Sequence, residues 1–327
     1  MPDEIGGAAR SQGNSRPRPD VLADLLVAKE FVFMPPRFPP VLLSSVPCPL
    51  FSASPLATWV HTPHPFLIQF TETAGIRYYG LAYFLGFVFG AWMFRLYYKA
   101  GRTPLNPTAS MDLMLYLVVG VMIGGRLGSY FLYDGWRNFG SDPLGVFKVW
   151  KGGMASHGGF AGVLLALVLF ARQHKVKFLH LGDLVTSTAS CGLLLGRLAN
   201  YLNGELWGKV TDGTWGVIFQ GAGPLPRHPS QLYEAALEGA LLLAYGQWRF
   251  WRTDAPVKQP GRLSGEFLVG YAAVRVICEV FREPDVFQPG ESTLILGLSR
   301  GTFFSLFVAL GGICLIWQSS RQPAQRR

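Results

Sequence analysis

The sequence predicts an all-α, polytopic integral membrane protein with about seven transmembrane helices and a small head on one membrane face. Half of its 327 residues are hydrophobic and only 15% are charged, whereas soluble globular domains carry about 25% charged residues. From Tyr79 onward, apolar runs long enough to cross about 30 Å of hydrocarbon recur along the chain. No long polar segment separates these runs, so most of the chain is predicted to lie in a membrane.

The first 64 residues differ in composition from the rest. Residues 1–20 are polar and rich in Pro, Gly and Arg, a composition typical of disorder. The residues that follow are apolar but interrupted by prolines, which excludes a spanning helix. We therefore expect an atypical, disordered or dispensable extension over 1–64, a transmembrane domain over 65–320 and a cytoplasmic tail over 321–327.

Seven apolar runs account for the predicted spans. They cover approximately residues 80–98, 113–132, 157–172, 182–203, 230–250, 265–283 and 301–318. The longest gap between them, 204–229, is rich in Gly and Trp, and we predict that it forms the small head.

Lys and Arg in the short loops predict the orientation. The loops 99–112, 173–181 and 251–264, counted with the adjoining helix ends and the C-terminal tail, carry twelve Lys and Arg residues, and the opposite side carries six when the extension is left out. Because positive loops stay in the cytoplasm, the C-terminus is predicted to be cytoplasmic and the first span to start outside.

Ionisable residues inside the spans are the most informative feature. Arg126, His157, Arg197, Arg275 and Arg282 lie within or beside apolar runs, although a charge at the bilayer centre costs roughly 2.5–3.5 kcal/mol on insertion scales. In the predicted orientation all of them fall in the outer half of the bilayer. We therefore expect one polar cavity, open to the outer leaflet, in which the phosphate of an anionic lipid neutralises the guanidinium groups.

The fourth span ends in a polar motif. Arg197, Asn200 and Asn203 follow one another at three-residue spacing, and Glu205 comes next, so a cation and two amides lie along one side of a helix. The planar fork of arginine suits a phosphate because it can donate two parallel hydrogen bonds. A packing network is the alternative for Asn203 and Glu205.

The sixth span carries a second set. Tyr271, Arg275 and Glu279 recur at every fourth residue, with Arg282 three residues further, so all four share one helix face. A structural ion pair between Arg275 and Glu279 is the alternative to a functional role, since embedded carboxylates commonly neutralise a neighbour.

Two further sites lie beside paired glycines, which permit close backbone approach to a ligand. His157, between Gly152–Gly153 and Gly158–Gly159, is a candidate general base for a thiol. Arg126 either binds the lipid or extends to the interface.

No second His or Cys stands at ligand spacing, so no metal is predicted. The start of the fifth span at Ser230 fits an anion site as well as ordinary helix capping.

Five motifs in order, from about Tyr78 to Asp285, resemble the phosphatidylglycerol–prolipoprotein diacylglyceryl transferase family. They are GGRLG, GGMASHGG, GRLANYLNGELWG, RHPSQLYEAALEG and GYAAVRVICEVFREPD. The resemblance implies a multi-pass enzyme of the bacterial cytoplasmic (inner) membrane with seven spans and a periplasmic head. It further implies transfer of the diacylglyceryl group of phosphatidylglycerol to the lipobox cysteine of a prolipoprotein, with a thioether and glycerol phosphate as products and no cofactor.

The resemblance also implies roles for individual residues. The expected catalytic residues are His157, Arg197, Arg275 and Tyr79, with His157 as the first candidate for the base and Tyr79 as the alternative. The substrate-binding residues that it implies are Asn200, Glu205, Gly208, Tyr271 and Glu279. Arg126, Asn203 and Arg282 are added to the expected substrate-binding residues because of their positions in the spans.

Other function classes make different demands on the sequence. A transporter of an anionic lipid or another anion also uses buried arginines, but the related halves typical of such folds are not visible here. A structural subunit of a membrane complex would tolerate substitution of the arginines. Nucleic acid is excluded as a partner because the residues behind the net charge of +9 are spread over loops and helix ends, where contact with anionic membrane lipids is expected instead.

Overall fold

Seven long helices make up most of the described chain. The computed structural model describes residues 59–63, 65–71, 75–133, 142–148, 153–284 and 294–321. Its long helices are α1 (Tyr78–Lys99), α2 (Pro107–Gly128), α3 (Ser156–His174), α4 (Phe178–Asn203), α5 (three consecutive pieces, Ser230–Glu234, Ala235–Leu241 and Leu242–Arg252), α6 (Arg262–Phe281) and α7 (Arg300–Arg321). Each predicted span overlaps one of them, and the largest difference is at the start of α2, at residue 107 instead of 113. The predicted helical fold is confirmed.

The middle piece of α5, Ala235–Leu241, is π-helical, a wider turn that is frequent at functional sites. Helix α5 packs along α4, and the two backbones approach closely at Gly239, where an added Cβ atom would lie 2.6 Å from the Cα atom of Leu194. The absence of a side chain at Gly239 therefore lets this wider turn lie directly against α4, one helical turn from Arg197.

Short strands extend the predicted all-α architecture. Strand β1 (Trp59–His61) pairs in parallel with β4 (Val217–Phe219). Two antiparallel pairs complete the set, β2 (Phe66–Gln69) with β3 (Gly75–Arg77) and β5 (Leu294–Ile295) with β6 (Leu298–Ser299). Strands of two to four residues carry too little periodicity to be recognised in a sequence.

The structure describes a short part of the predicted N-terminal extension, residues 59–63. Residue His61 is buried, and its ring packs against Tyr201 and Phe219 at centroid distances of 4.9 and 5.3 Å. Residues 59–61 therefore pack against β4 and the end of α4, upstream of residue 65, at which the predicted domain begins. Residues 1–58 and 64 of the predicted extension lie outside the described residues, as does most of the predicted tail over 321–327.

The aromatic core lies at one end of the helices. Tyr97 stacks on Phe250 at 3.7 Å, and both belong to a buried cluster with Phe94, Leu181 and Leu263. These residues lie where α1 and α5 end and where α4 and α6 begin. The opposite helix ends are consequently free of this core, and the polar residues singled out above lie there.

Four of the helices in the described residues are long and apolar enough to cross a membrane. They are α1, Pro107–Phe131, α4 and α7. Helix α7 is strongly apolar, yet little of it is buried within the described structure, as expected for a surface that contacts lipid. Helix α6 does not meet the same criterion because it carries Arg262, Glu266, Arg275 and Glu279.

Asp183 corrects the expectation that embedded ionisable groups lie only in the outer half. Its buried carboxylate lies near the start of α4 and accepts hydrogen bonds from the backbone amides of Gly261 and Ser264, both at 2.7 Å. The Ser264 hydroxyl donates a third, at 2.8 Å. Asp183 therefore caps the start of α6, roughly 20 Å along α4 from Arg197 at 1.5 Å per residue.

Candidate active site

Arg197 and Arg275 meet at one carboxylate, that of Glu238. From α4, Arg197 donates through Nη2 to Oε2 of Glu238 at 3.0 Å, and through Nε to the same oxygen at 3.3 Å. From α6, Arg275 donates through Nη1 to Oε1 at 3.2 Å. Three helices are thus joined by a single side chain, which holds two guanidinium groups next to each other.

Two further carboxylates complete this cluster. Glu234 accepts from Arg197 Nη1 at 2.8 Å and lies 3.4 Å from Arg275 Nη1. Its other oxygen accepts from Arg282 Nη1 at 3.2 Å. Glu279 accepts from Arg275 Nη2 at 2.6 Å, so the predicted pair within α6 is present. We call these six residues the arginine–glutamate cluster.

The carboxylates lie deeper than the two central arginines. The side chains of Glu234 and Glu238 are 1% and 0% exposed, whereas those of Arg197 and Arg275 are 17% and 12% exposed. The glutamates therefore hold the guanidinium groups from the more buried side, while both arginine side chains stay partly exposed.

The charge balance corrects one expectation. The cluster holds three guanidinium groups and three carboxylates, so its formal charge is zero. A lipid phosphate is not needed to explain why the arginines are tolerated at this depth, because paired charges are the usual way in which buried ions are stabilised.

A second polar network adjoins the first. Tyr79 donates to Oε1 of Glu205 and accepts a hydrogen bond from Asn200. Asn200 and Asn203 also donate to Oε1 of Glu205, at 3.3 and 3.2 Å. From the start of α5, Gln231 donates to the Glu205 backbone carbonyl at 2.7 Å. Since Asn200 lies one helical turn beyond Arg197, the two networks are neighbours on α4.

His157 lies in the first turn of α3 with an exposed side chain. Its ring contacts Phe304 of α7 edge to face, with centroids 6.2 Å apart. The first turn of α7 also meets the cluster, since a Cβ atom added at Gly301 would lie 2.0 Å from Oε1 of Glu279. His157 is therefore placed on the side of the site where α7 begins.

Arg126 is engaged by backbone carbonyls. Its guanidinium donates to the carbonyl oxygens of Gly145 at 2.6 Å, Val146 at 2.9 Å, Lys148 at 3.1 Å and Gly153 at 3.3 Å. These contacts tie the segment that leads from α2 towards His157 to the end of α2. The geometry favours a role in holding this segment over direct binding of a phosphate.

A mainly apolar cavity of about 450 Å³ lies beside the cluster, between the head, α5 and α6. Its lining includes Trp215, His228, Tyr233, Leu237, Cys278 and Phe281. Cys278 is one helical turn from Arg275, so apolar space lies within reach of the guanidinium groups. In the part of the chain that the structure describes, no group of three or more His, Cys, Asp or Glu residues is arranged to hold a metal ion.

Comparison with known proteins identifies the family. Residues 65–318 match the family model for prolipoprotein diacylglyceryl transferase. The chain belongs to this family. It is 42% identical over 288 residues to a phosphatidylglycerol–prolipoprotein diacylglyceryl transferase of Caulobacter vibrioides (strain NA1000 / CB15N), an alignment that covers 79% of this chain and 92% of that relative.

Two further relatives carry the same name. The transferase of Pseudoalteromonas atlantica is 44% identical over 248 residues, which cover 75% of this chain and 86% of the relative. That of Zymomonas mobilis subsp. mobilis is 44% identical over 248 residues, covering 76% and 85%. The resemblance of the five motifs to the diacylglyceryl transferase family is thereby confirmed.

The structure of this diacylglyceryl transferase family member brings most of the predicted site residues together. Arg197, Arg275, Glu279 and Arg282 share the arginine–glutamate cluster, and Tyr271 lies within electrostatic range of Glu238 and both central arginines. Tyr79, Asn200, Asn203 and Glu205 form the adjoining network. His157 and Arg126 lie at the edge, in the contacts described above.

Gly208 has a backbone role. Its amide donates to the His228 carbonyl at 2.9 Å, and an added Cβ atom would lie 2.5 Å from the Phe281 oxygen and 2.6 Å from the His228 oxygen. The chain at Gly208 thus passes between the segment that leads into α5 and the end of α6. Its contacts favour a packing function over contact with a substrate.

Sequence reasoning did not assign Glu234 and Glu238 to the site. For Arg197, Arg275 and Arg282, the sequence offered only one carboxylate partner, Glu279. Three buried positive charges and one negative charge already indicated that further carboxylates lie nearby. Glu234 and Glu238 lie four residues apart in the fifth span, a spacing that places both on one helix face. This pattern could have identified them.

Proposed function

We propose that the arginine–glutamate cluster is the site at which this enzyme transfers the diacylglyceryl group of phosphatidylglycerol to the lipobox cysteine of a prolipoprotein. The observation that carries the assignment is the convergence of Arg197 and Arg275 on Glu238. Two rigid, partly exposed donors held side by side suit a phosphodiester. Charge-assisted, bidentate hydrogen bonds are the strongest that a phosphate accepts from protein side chains.

The reaction is a substitution at carbon. The cysteine sulfur attacks the glyceryl carbon that bears the phosphodiester, a C–S bond forms, and the bond from that carbon to the phosphate oxygen breaks. The leaving group is glycerol phosphate, and the thiol proton passes to a base. Arg197 and Arg275 stabilise the charge that develops on the leaving oxygen, which is the kind of preorganised electrostatic contact that lowers barriers most.

The thiol requires a base because the thiolate is the reactive form. His157 is the first candidate, since its side chain is exposed at the edge of the site. Tyr79 is the alternative, but its hydroxyl already donates to Glu205. In this assignment Tyr79, Asn200 and Glu205 orient the substrate, while Glu234, Glu238 and Glu279 position the arginines.

The surroundings support a membrane-embedded reaction. Helices α3, α5 and α6 pack among the four apolar helices, and we infer that they cross the membrane with them. The excess of Lys and Arg at the core end of the bundle assigns that end to the cytoplasm. The cluster then lies in the outer half of the bacterial inner membrane, and the head formed by 204–229 faces the periplasm. The apolar cavity beside Cys278 suits a hydrocarbon part of a substrate.

The experiment is a transfer assay. Membranes containing the protein are incubated with phosphatidylglycerol and a lipobox peptide, and the peptide mass is measured. A thioether-linked diacylglyceryl adduct that depends on Arg197 and Arg275 supports the proposal. Lipid movement between leaflets without an adduct indicates an anionic-lipid transporter instead.

A further inference from the structure

Two buried amide oxygens beside the cluster have no hydrogen-bond partner in the described structure. They are Oε1 of Gln231 and Oδ1 of Asn203. Gln231 is 1% exposed in the first turn of α5, and Asn203 is the last residue of α4. Buried polar atoms in folded proteins are nearly always paired, so two unpaired acceptors at one site require an explanation.

The orientation of both amides is set by Glu205. The Nε2 atom of Gln231 donates to the Glu205 carbonyl at 2.7 Å, and Nδ2 of Asn203 donates to its carboxylate at 3.2 Å. If either amide were rotated by 180°, its oxygen would face an oxygen of Glu205 and the hydrogen bond would be lost. Both amide oxygens are therefore directed away from Glu205, as acceptors that lack donors.

These acceptors are close in the fold to the proposed phosphate-binding arginines. Gln231 precedes Glu234 by three residues on α5 and so shares a helix face with the cluster. Asn203 follows Asn200 by three residues on α4 and belongs to the adjoining network around Glu205. The site thus presents guanidinium donors in one part and neutral amide acceptors in the next. A ligand that matches it has a phosphate followed by neutral hydrogen-bond donors.

We propose that Gln231 and Asn203 form a subsite for the free hydroxyl groups of the glycerol head of phosphatidylglycerol. The inference rests on the proposed function and adds the basis of head-group selection. A hydroxyl is a neutral donor and fits a neutral amide oxygen. An ammonium head group is disfavoured because the guanidinium groups repel it and because Glu205 already accepts hydrogen bonds from Tyr79, Asn200 and Asn203.

The test compares two lipids of equal charge. Phosphatidylpropanol carries the same phosphodiester as phosphatidylglycerol but lacks both head-group hydroxyls. With the unmodified protein, kcat/KM for thioether formation is expected to be roughly 10- to 100-fold higher for phosphatidylglycerol, since an unmet buried acceptor is costly. Equal rates with both lipids would overturn the subsite while leaving the transferase assignment intact. Absence of any adduct would instead overturn the proposed function.

Substitutions at Gln231 and Asn203 test whether these two residues are the acceptors of the head-group hydroxyls. Gln231→Leu also removes the hydrogen bond to the Glu205 carbonyl, so kcat/KM falls for both lipids. It is expected to fall about tenfold further for phosphatidylglycerol than for phosphatidylpropanol, so the preference collapses. Asn203→Ala, at a less buried position, is the second variant should Gln231→Leu not fold. An equal loss with both lipids indicates a purely structural role and overturns the proposal.

A matched control is available on the same helix. Gln247 lies at the core end of α5, where its amide donates to the Ser187 carbonyl at 2.7 Å and its oxygen accepts from Tyr97 and Trp251. Gln247→Leu removes a bonded glutamine remote from the site. This variant is expected to leave the ratio of kcat/KM for phosphatidylglycerol to kcat/KM for phosphatidylpropanol unchanged. A fall of that ratio to about one in this variant would contradict the assignment of the subsite to Gln231 and Asn203.

Discussion

Arg197 and Arg275 bond opposite oxygens of the same carboxylate, with Arg197 on Oε2 and Arg275 on Oε1 of Glu238. The two guanidinium groups would repel each other if they were placed alone in a low-dielectric interior. The negative charge of Glu238 offsets that repulsion. Because Glu238 accepts a hydrogen bond from each arginine, it also fixes the position of both guanidinium groups. The pair is consequently organised before any substrate arrives.

The first prediction tests whether the fork geometry matters. Arg197→Lys and Arg275→Lys keep the charge but lose the planar pair of donors. Each is expected to lower the rate of thioether formation by about 100-fold or more, the usual effect of removing a preorganised transition-state donor. Rates are measured by mass spectrometry of a lipobox peptide.

Arg249→Lys is the control for these two variants. Arg249 pairs with Glu266 at 2.5 Å at the other end of the bundle. It should retain near-normal transfer. Lysine variants of the two site arginines that stay within threefold of the unmodified enzyme would contradict the proposed phosphate contact.

The second prediction concerns Glu238. Glu238→Gln leaves two buried guanidinium groups without their shared counter-charge, and breaking a buried pair in this way costs about 3–5 kcal/mol. We expect a lower unfolding temperature in detergent and at least a tenfold loss of transfer per folded molecule. Glu266→Gln is the matched change, since Glu266 also bonds two arginines, Arg249 and Arg262. It should affect stability while transfer per folded molecule is retained.

The fold could be predicted largely from the sequence because spanning helices leave a long apolar signal. All seven helices lie where the apolar runs are, although α6 is too charged to meet a criterion of length and apolarity. Strand β1 was missed because it has only three residues in a segment interrupted by prolines, too few to show the alternation of apolar and polar residues that indicates a strand. The π-helical turn of α5 was missed because it depends on contact with α4, which sequence position does not reveal.

The site was predictable where side chains pair with side chains. The spacing of Arg275 and Glu279 was sufficient to predict their contact, and the polar motif at the end of α4 predicted the neighbourhood of Arg197 and Asn200. The contacts of Arg126 were not predicted because its partners are backbone carbonyls, which have no sequence signature. The ion pairs of Glu234 were overlooked because it lies near the start of the fifth span, where attention went to Ser230 and helix capping.

The third prediction uses a glycine next to Glu279. A methyl group at Gly301 would overlap Oε1 of Glu279, the oxygen that accepts from Arg275. Gly301→Ala should therefore displace Glu279, loosen Arg275 and lower transfer roughly tenfold, the cost of one charge-assisted hydrogen bond. Gly311→Ala lies on the same helix with no atom within 4 Å of the added carbon. Equal activity of the two variants would contradict the proposed role of Glu279.

The fourth prediction separates the two candidate bases. Removal of a general base lowers rates by about 10²–10⁴-fold, so His157→Gln should fall in that range. Tyr79→Phe loses the hydroxyl that joins Asn200 to Glu205 and should cost less, about 5- to 150-fold from the unpaired groups. Transfer is measured with saturating lipid, and Tyr98→Phe, at the far end of α1, is the control. A larger loss in Tyr79→Phe than in His157→Gln would exchange the two assignments.

The last prediction concerns the N-terminal boundary. A chain that begins at Leu56 keeps β1 and should match the full-length protein in unfolding temperature and transfer, whereas one that begins at Pro65 loses β1 and the contacts of His61 with Tyr201 and Phe219. Two buried aromatic contacts are worth about 1–3 kcal/mol, so the shorter chain should unfold at a lower temperature in detergent.

His61→Ala in the full-length chain distinguishes this loss from an effect of the deletion itself. It removes the ring and keeps the backbone pairing of Trp59–His61 with β4. Its unfolding temperature should fall between those of the two truncated chains. If the chain beginning at Pro65 were as stable as the one beginning at Leu56, β1 would contribute nothing to the head, and the boundary at residue 65 expected from composition would stand.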